Sequence, residues 1–237
     1  MGTRALERSD HRVVSYDARG HGSSGPARHP HAYGYDELGA DLVAVLDQLD
    51  LDRPVIAGVS MGAHTALWLA LERPERVAGL VVITPGYDPE TVDDERRLAR
   101  WDALADGLRE GGVEGFVAAY GEPSVPREWR DTALKVIRQR LALHEHPEAV
   151  ADALNVVPRS RPFTRLEDLA AISSVPVAVV ASADEPDPEH PQALAEAYAR
   201  AIPGSRLVTD EPGKSPIAWQ GSQLSGVIAS VAAEAFA

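Results

Sequence analysis

A serine with a glycine two residues to either side is the group in this chain best suited to covalent chemistry. It lies in Gly58-Val59-Ser60-Met61-Gly62, preceded by the apolar residues Val55-Ile56-Ala57 and followed by the alanine- and leucine-rich stretch from Ala63 to Leu71. Strand, one-residue bend and helix in immediate succession make a nucleophile elbow. The bend is too sharp for ordinary backbone angles, and a side chain at Gly58 or Gly62 is expected to clash with the neighbouring strand or helix. Ser60 then stands at the carboxyl edge of a sheet and at the amino end of a helix, whose free N–H groups and dipole favour a developing oxyanion.

A serine hydroxyl is a poor nucleophile near neutral pH and needs a base beside it. Eight histidines are available, at positions 11, 21, 29, 31, 64, 144, 146 and 190. His64 lies four residues beyond Ser60, but Ser60 is on the bend, so the two need not share a helix face. His190 begins the helix after the acidic loop and reaches Ser60 only if that loop folds inward. His21 belongs to a glycine turn and reads as a structural hydrogen bonder. No histidine pair with nearby carboxylates has metal-ligand spacing, so neither a metal nor a cofactor is expected.

The elements that must position these groups alternate between two periods. His11 to Asp17 reads as a short buried strand, and Ala18 to Pro26 as a tight glycine-rich loop at its carboxyl end. Tyr35 to Leu51 carries Leu38, Leu42, Val45, Leu46 and Leu49 at helical spacing, with Asp36 as N-cap. Val55 to Val59 and Val77 to Thr84 are further strands, the latter apolar enough to be covered on both faces. Gly86 to Pro162 breaks the rhythm with helical segments at 93–109, 113–120, 127–144 and 148–156. Strand Val175 to Ala181, helix Gln192 to Ala201, strand Arg206 to Thr209 and a helix from Ser222 to Ala235 then restore it. The order predicts an α/β fold with a mostly parallel sheet between two helical layers. Residues 1–85 and 163–237 form its core, and 86–162 a helical lid over the carboxyl edge.

Composition narrows the partners. With 36 acidic against 23 basic residues the net charge is −13, which argues against nucleic acid and anionic membranes. No apolar run approaches the ~20 residues of a membrane span, and the first ten residues carry no signal-like core. Cysteine is absent, in keeping with a reducing cytoplasm.

Three motifs together, Tyr16-Asp17-Ala18-Arg19-Gly20-His21-Gly22-Ser23-Ser24, the elbow, and Arg73-Pro74-Glu75-Arg76-Val77, closely resemble the α/β-hydrolase superfamily. The likeness covers most of 11–85 and, more loosely, 163–237. It implies that Ser60 is the nucleophile, that the Met61 N–H is one oxyanion donor, that the acid follows a later strand, and that the histidine follows the last strand.

The chain departs from that pattern in three places. Only twelve residues precede Val13, too few for the central strand that in this family supplies the second oxyanion donor. Either the gene begins upstream of Met1 or that strand is missing, and its absence would expose strand edges and favour a homodimer. The acid is ambiguous within Ser182 to Pro191: Asp184 lies at the usual offset, with Glu185 and Asp187 close by and Asp88 as an outside candidate. Where the family carries its histidine, this chain reads Pro212-Gly213-Lys214-Ser215-Pro216. Lys214 serves as base only if its pKa falls to about 8, a cost of roughly 3 kcal/mol that burial would have to supply. Trp219 falls near the site if Lys214 does. The sequence therefore points to a hydrolase of an ester, lactone or similar small acyl substrate acting through an acyl-enzyme on Ser60. The alternative is a binding or interaction protein that kept the elbow and lost its base.

Overall fold

The computed structural model describes residues 3–8, 11–182, 190–209 and 221–237. In chain order the helices are α1 (Thr3–Glu7), α2 (Tyr35–Gln48), α3 (Met61–Glu72), α4 (Glu95–Tyr120), α5 (Arg130–Leu141), α6 (Pro147–Val156), α7 (Gln192–Ala201) and α8 (Gly221–Ala235). The strands are β1 (Val55–Val59), β2 (Gly79–Ile83), β3 (Val177–Ala181) and β4 (Arg206–Thr209). Among the described residues these four make one parallel sheet in the order β1-β2-β3-β4. No helix of the described residues is long and apolar enough to cross a membrane.

Contacts divide the chain into two compact units. The first contains 1–15, 42–86 and 162–237, and the second 16–41 and 87–161. The first unit is built around the sheet. Register sets Ala57 beside Val81 and Val81 beside Ala178, and Ile83 beside Val180 and Val180 beside Val208. These rows pack against Leu224, Val227, Ile228 and Val231 of α8. Because side chains alternate along a strand, Leu80, Val82, Val177 and Val179 face the other way. They are fully or nearly fully buried, on the side where α3 packs against β1 and β2 and α7 against β3. The uninterrupted burial of β2 and β3 is the mark of parallel strands covered on both faces. Elementary closure comes from Arg53 and Arg76, whose guanidinium groups donate to Val77 O and to Asp52 O and Leu51 O, tying the entry of β1 to the entry of β2.

The strand expected over His11 to Asp17 is absent. Among the described residues that segment makes no ladder bonds, and Val14 and Tyr16 are 39% and 42% exposed. A strand exists only through a neighbour that accepts and donates its backbone bonds, and among the described residues β1, the sheet's end strand, pairs on one side, with β2. Val59 at the end of β1 is correspondingly 44% exposed. Asp36 is also displaced from its expected place. α2 begins at Tyr35, so Asp36 and Glu37 sit inside the first turn, where carboxylates complement the positive end of the helix dipole.

In the second unit the glycine-rich loop is stapled internally. Asp17 accepts from the Ser23 N–H (3.1 Å), and Gly20 N–H donates to Gly25 O (2.9 Å). Arg19 makes a two-pronged contact with Asp41 (2.6 and 2.7 Å) and donates to Ala32 O and Glu37 O, fastening the loop to the first turns of α2. The two helices expected over 93–109 and 113–120 are one helical span, α4, broken at Gly112, which has φ 59° and ψ −144°. Only glycine takes that conformation without strain, so the break falls where the sequence permits it. Leu104, Ala105 and Leu108 before the break and Phe116 after it share a cluster with Val150 and Ala151 of α6.

Candidate active site

The elbow is held from several directions. Ser60, between β1 and α3, has φ 48° and ψ −112°, a region that residues with a side chain rarely occupy. Its N–H donates to Ile83 O at the end of β2 (3.0 Å), and its carbonyl accepts the first α3 bond from the His64 N–H (3.1 Å). The Met61 N–H opens the helix, where no carbonyl of α3 itself reaches it, as an oxyanion donor requires. The two motif glycines are not equivalent. A Cβ at Gly58 would lie 2.2 Å from the Gly62 carbonyl carbon and oxygen, whereas among the described residues a Cβ at Gly62 would meet nothing within 4 Å. The expected clash is therefore real at Gly58 and absent at Gly62.

His190 is the side chain that meets Ser60. It lies two residues before α7, and its Nε2 is 2.7 Å from Ser60 Oγ. With the ring proton on Nδ1, the lone pair of Nε2 accepts a hydrogen bond from the Ser60 hydroxyl. This is the arrangement that lets a neutral imidazole deprotonate a serine as it attacks. The two residues are 130 positions apart. The signal for the pairing was slight: a histidine at the end of the acidic loop that follows a central strand.

The other expected site residues distribute as follows. Asp184, Glu185, Asp187, Lys214 and Trp219 lie outside the described residues. Asp88 caps its own turn, accepting from the Glu90 N–H at 2.9 Å. His64 is 3% exposed, and its Nε2 accepts from the Gly86 N–H at 3.1 Å. It is thus a buried strut rather than a base. In the second unit His29 and His31 stack on each other with ring centres 5.7 Å apart.

His21 bonds to the Arg19 carbonyl (3.0 Å), in keeping with a structural role, and meets His144 edge to face. His144 Nδ1 in turn accepts from the Gly22 N–H (2.8 Å), pinning the glycine-rich loop to the segment after α5. Burial, and then the neighbouring His21, hold the His144 pKa below its usual value, with Asp17 opposing. The bond needs the neutral ring, so its stabilisation is fully present above the ordinary imidazole pKa of ~6.5 and is lost as pH falls through the depressed value. Thermal unfolding should accordingly shift downward between pH 7.5 and 5 by more in the unaltered protein than in His144→Phe. Equal shifts in the two proteins would remove His144 from the acid response.

A parallel sheet flanked by helices, with a strained serine on a strand-to-helix turn and a histidine against its hydroxyl, is the architecture of an α/β-hydrolase-type fold. The chain belongs to the α/β hydrolase fold family, whose model matches residues 3–145. It is 37% identical over 101 residues to 3-oxoadipate enol-lactonase 2 of Acinetobacter baylyi, covering 43% of this chain and 35% of that protein. It is 42% identical over 136 residues to the sn-1-specific diacylglycerol lipase of Mus musculus, covering 47% of this chain and 42% of the lipase. The chain thus spans less than half the length of either relative. Its fold is similar to that of the enol-lactonase from Burkholderia xenovorans, with a TM-score of 0.76 at 22% identity over 98% of this chain and 85% of the other.

Proposed function

We propose that the protein is a serine hydrolase that cleaves an ester, lactone or related acyl compound through an acyl-enzyme on Ser60, with His190 as its base. The observation that carries this reading is the 2.7 Å contact between His190 Nε2 and Ser60 Oγ at the elbow. Similarity to proteins named as an enol-lactonase and a diacylglycerol lipase supports the acyl substrate class.

In the proposed reaction Ser60 Oγ attacks the acyl carbon as its proton passes to His190 Nε2. The carbonyl π electrons move onto oxygen, and the Met61 N–H stabilises that oxyanion. Collapse breaks the acyl–oxygen bond, and His190 returns the proton to the leaving alkoxide; for a lactone that alkoxide stays tethered to the acyl group. Water then attacks the acyl-enzyme by the same steps, giving the acid and free Ser60. Asp184, six residues before His190 in the sequence, is the proposed partner of the imidazole, with Lys214 the competing candidate for the base.

A fluorophosphonate probe tests the reading directly. Labelling confined to Ser60 and abolished in Ser60→Ala, together with turnover of a short-chain aryl ester, is the expected result. A folded protein that neither labels nor turns over the ester overturns it, and leaves a binding protein that has kept only the elbow.

A further inference from the structure

Two residues with side chains occupy left-handed backbone regions at the carboxyl edge of adjacent strands. One is Ser60 after β1, and the other is Thr84 after β2, with φ 43°. Thr84 is β-branched, for which such a φ is a real outlier, and a conformation of that kind persists only where the surroundings hold it. The restraints are explicit. Ser60 N–H donates to Ile83 O (3.0 Å) and Thr84 N–H to Val180 O at the end of β3 (2.8 Å). Two residues further on, the Gly86 N–H donates to His64 Nε2 (3.1 Å).

His64 bonds to a residue at each of the two turns, Ser60 and Gly86, and approaches α7. Its backbone N–H binds the Ser60 carbonyl, its ring binds the turn after β2, and the ring lies 6.5 Å from that of Tyr198, which is fully buried on α7. α7 is the helix that His190 precedes by two residues. One buried side chain therefore bridges the element that carries the nucleophile, the strained turn beside it and the helix that follows the base.

On the reading that Ser60 is a nucleophile with His190 as its base, we propose that His64 is a positioning residue for the pair. As the acceptor of a backbone N–H, its Nε2 is bare and its proton is on Nδ1. It does not itself touch the substrate or exchange the reacting proton. Its function is to hold the turn over 84–86 and α7 at fixed distances from the elbow, so that Ser60 Oγ and His190 Nε2 stay in register. A misplacement of about 1 Å between reacting groups costs up to about 100-fold in rate, so the strut has measurable leverage.

The test compares His64→Phe, which keeps the volume and removes the acceptor, with His64→Gln, whose carboxamide oxygen restores one at about the same reach. Fluorophosphonate labelling of Ser60 and aryl-ester turnover are measured at a temperature where each variant is folded. His64→Phe should slow labelling and kcat by about 10- to 100-fold with KM little changed. His64→Gln should recover most of that loss. Unaltered protein that fails to label defeats the hydrolase reading itself. Unaltered protein that labels while His64→Phe labels equally fast, or His64→Gln is as slow as His64→Phe, overturns the positioning role and leaves the hydrolase reading intact. If neither variant folds, nitrogen NMR of the unaltered protein decides the matter: an Nδ1–H tautomer at His64 with a slowly exchanging Gly86 amide is expected, and an Nε2–H tautomer overturns the proposal.

Discussion

His190→Ala should lower kcat/KM for an acyl substrate by about 10⁴- to 10⁶-fold and abolish fluorophosphonate labelling of Ser60, without unfolding the protein. The size follows from the role. With the imidazole gone, the Ser60 hydroxyl must lose its proton to water, and the transition state loses the group that both removes and returns that proton. His190 is half-buried and lies outside the helices and strands, so the fold should tolerate its truncation. Lys214→Ala is the matched control. If His190 is the base, removing Lys214 should leave activity within about tenfold of the original, since deleting a group other than the base removes at most a supporting interaction. The opposite pattern, with activity surviving His190→Ala and lost in Lys214→Ala, would transfer the role to the lysine.

The second large effect concerns the elbow's frame. Gly58→Ala should destabilise the protein by about 3 kcal/mol or more, and Gly62→Ala by nothing measurable. At Gly58 the new methyl would lie 2.2 Å from the Gly62 carbonyl and 2.5 Å from the Ala63 nitrogen, all backbone atoms that cannot turn aside. Relief requires β1 and the start of α3 to separate, which strains the Ser60 N–H bond to Ile83 O and with it the serine's placement. For a chain of this length 3 kcal/mol corresponds to a fall in melting temperature of roughly 6–12 °C. Gly62 is the second residue of α3, and among the described residues nothing lies within 4 Å of its Cβ position, so alanine fits and adds helix propensity. Equal destabilisation by the two substitutions would contradict the close approach at Gly58.

Both predictions depend on features that the sequence reveals to very different degrees. The elbow is local: strand, bend and helix are specified by consecutive residues, and a glycine-flanked serine between an apolar run and an alanine-rich stretch has few other solutions. The same holds for β2 and β3, whose unbroken apolar runs can be satisfied only by burial on both faces. The break in α4 is also local in origin, since Gly112 can take the left-handed angles that end one helical run and begin another. His11 to Asp17 shows where local reading stops. Its residues suit a strand, but a strand needs hydrogen-bond partners, and among the described residues β1 pairs only with β2 on its far side. Gly62 marks the same limit, because the space around a Cβ depends on what packs there and not on the motif.

The sequence alone determined that this is an α/β protein with a serine presented at the carboxyl edge of a parallel sheet, because periodicity and turn chemistry act over a few residues at a time. Only the tertiary structure decided which histidine meets that serine. His190 and Ser60 are 130 residues apart. Their contact depends on how α7, which begins two residues after His190, packs against the sheet. The tertiary structure likewise turned His64 from a candidate base into a buried acceptor for the Gly86 N–H, because the partner of an imidazole is whatever the fold brings within 3 Å or so of its nitrogens.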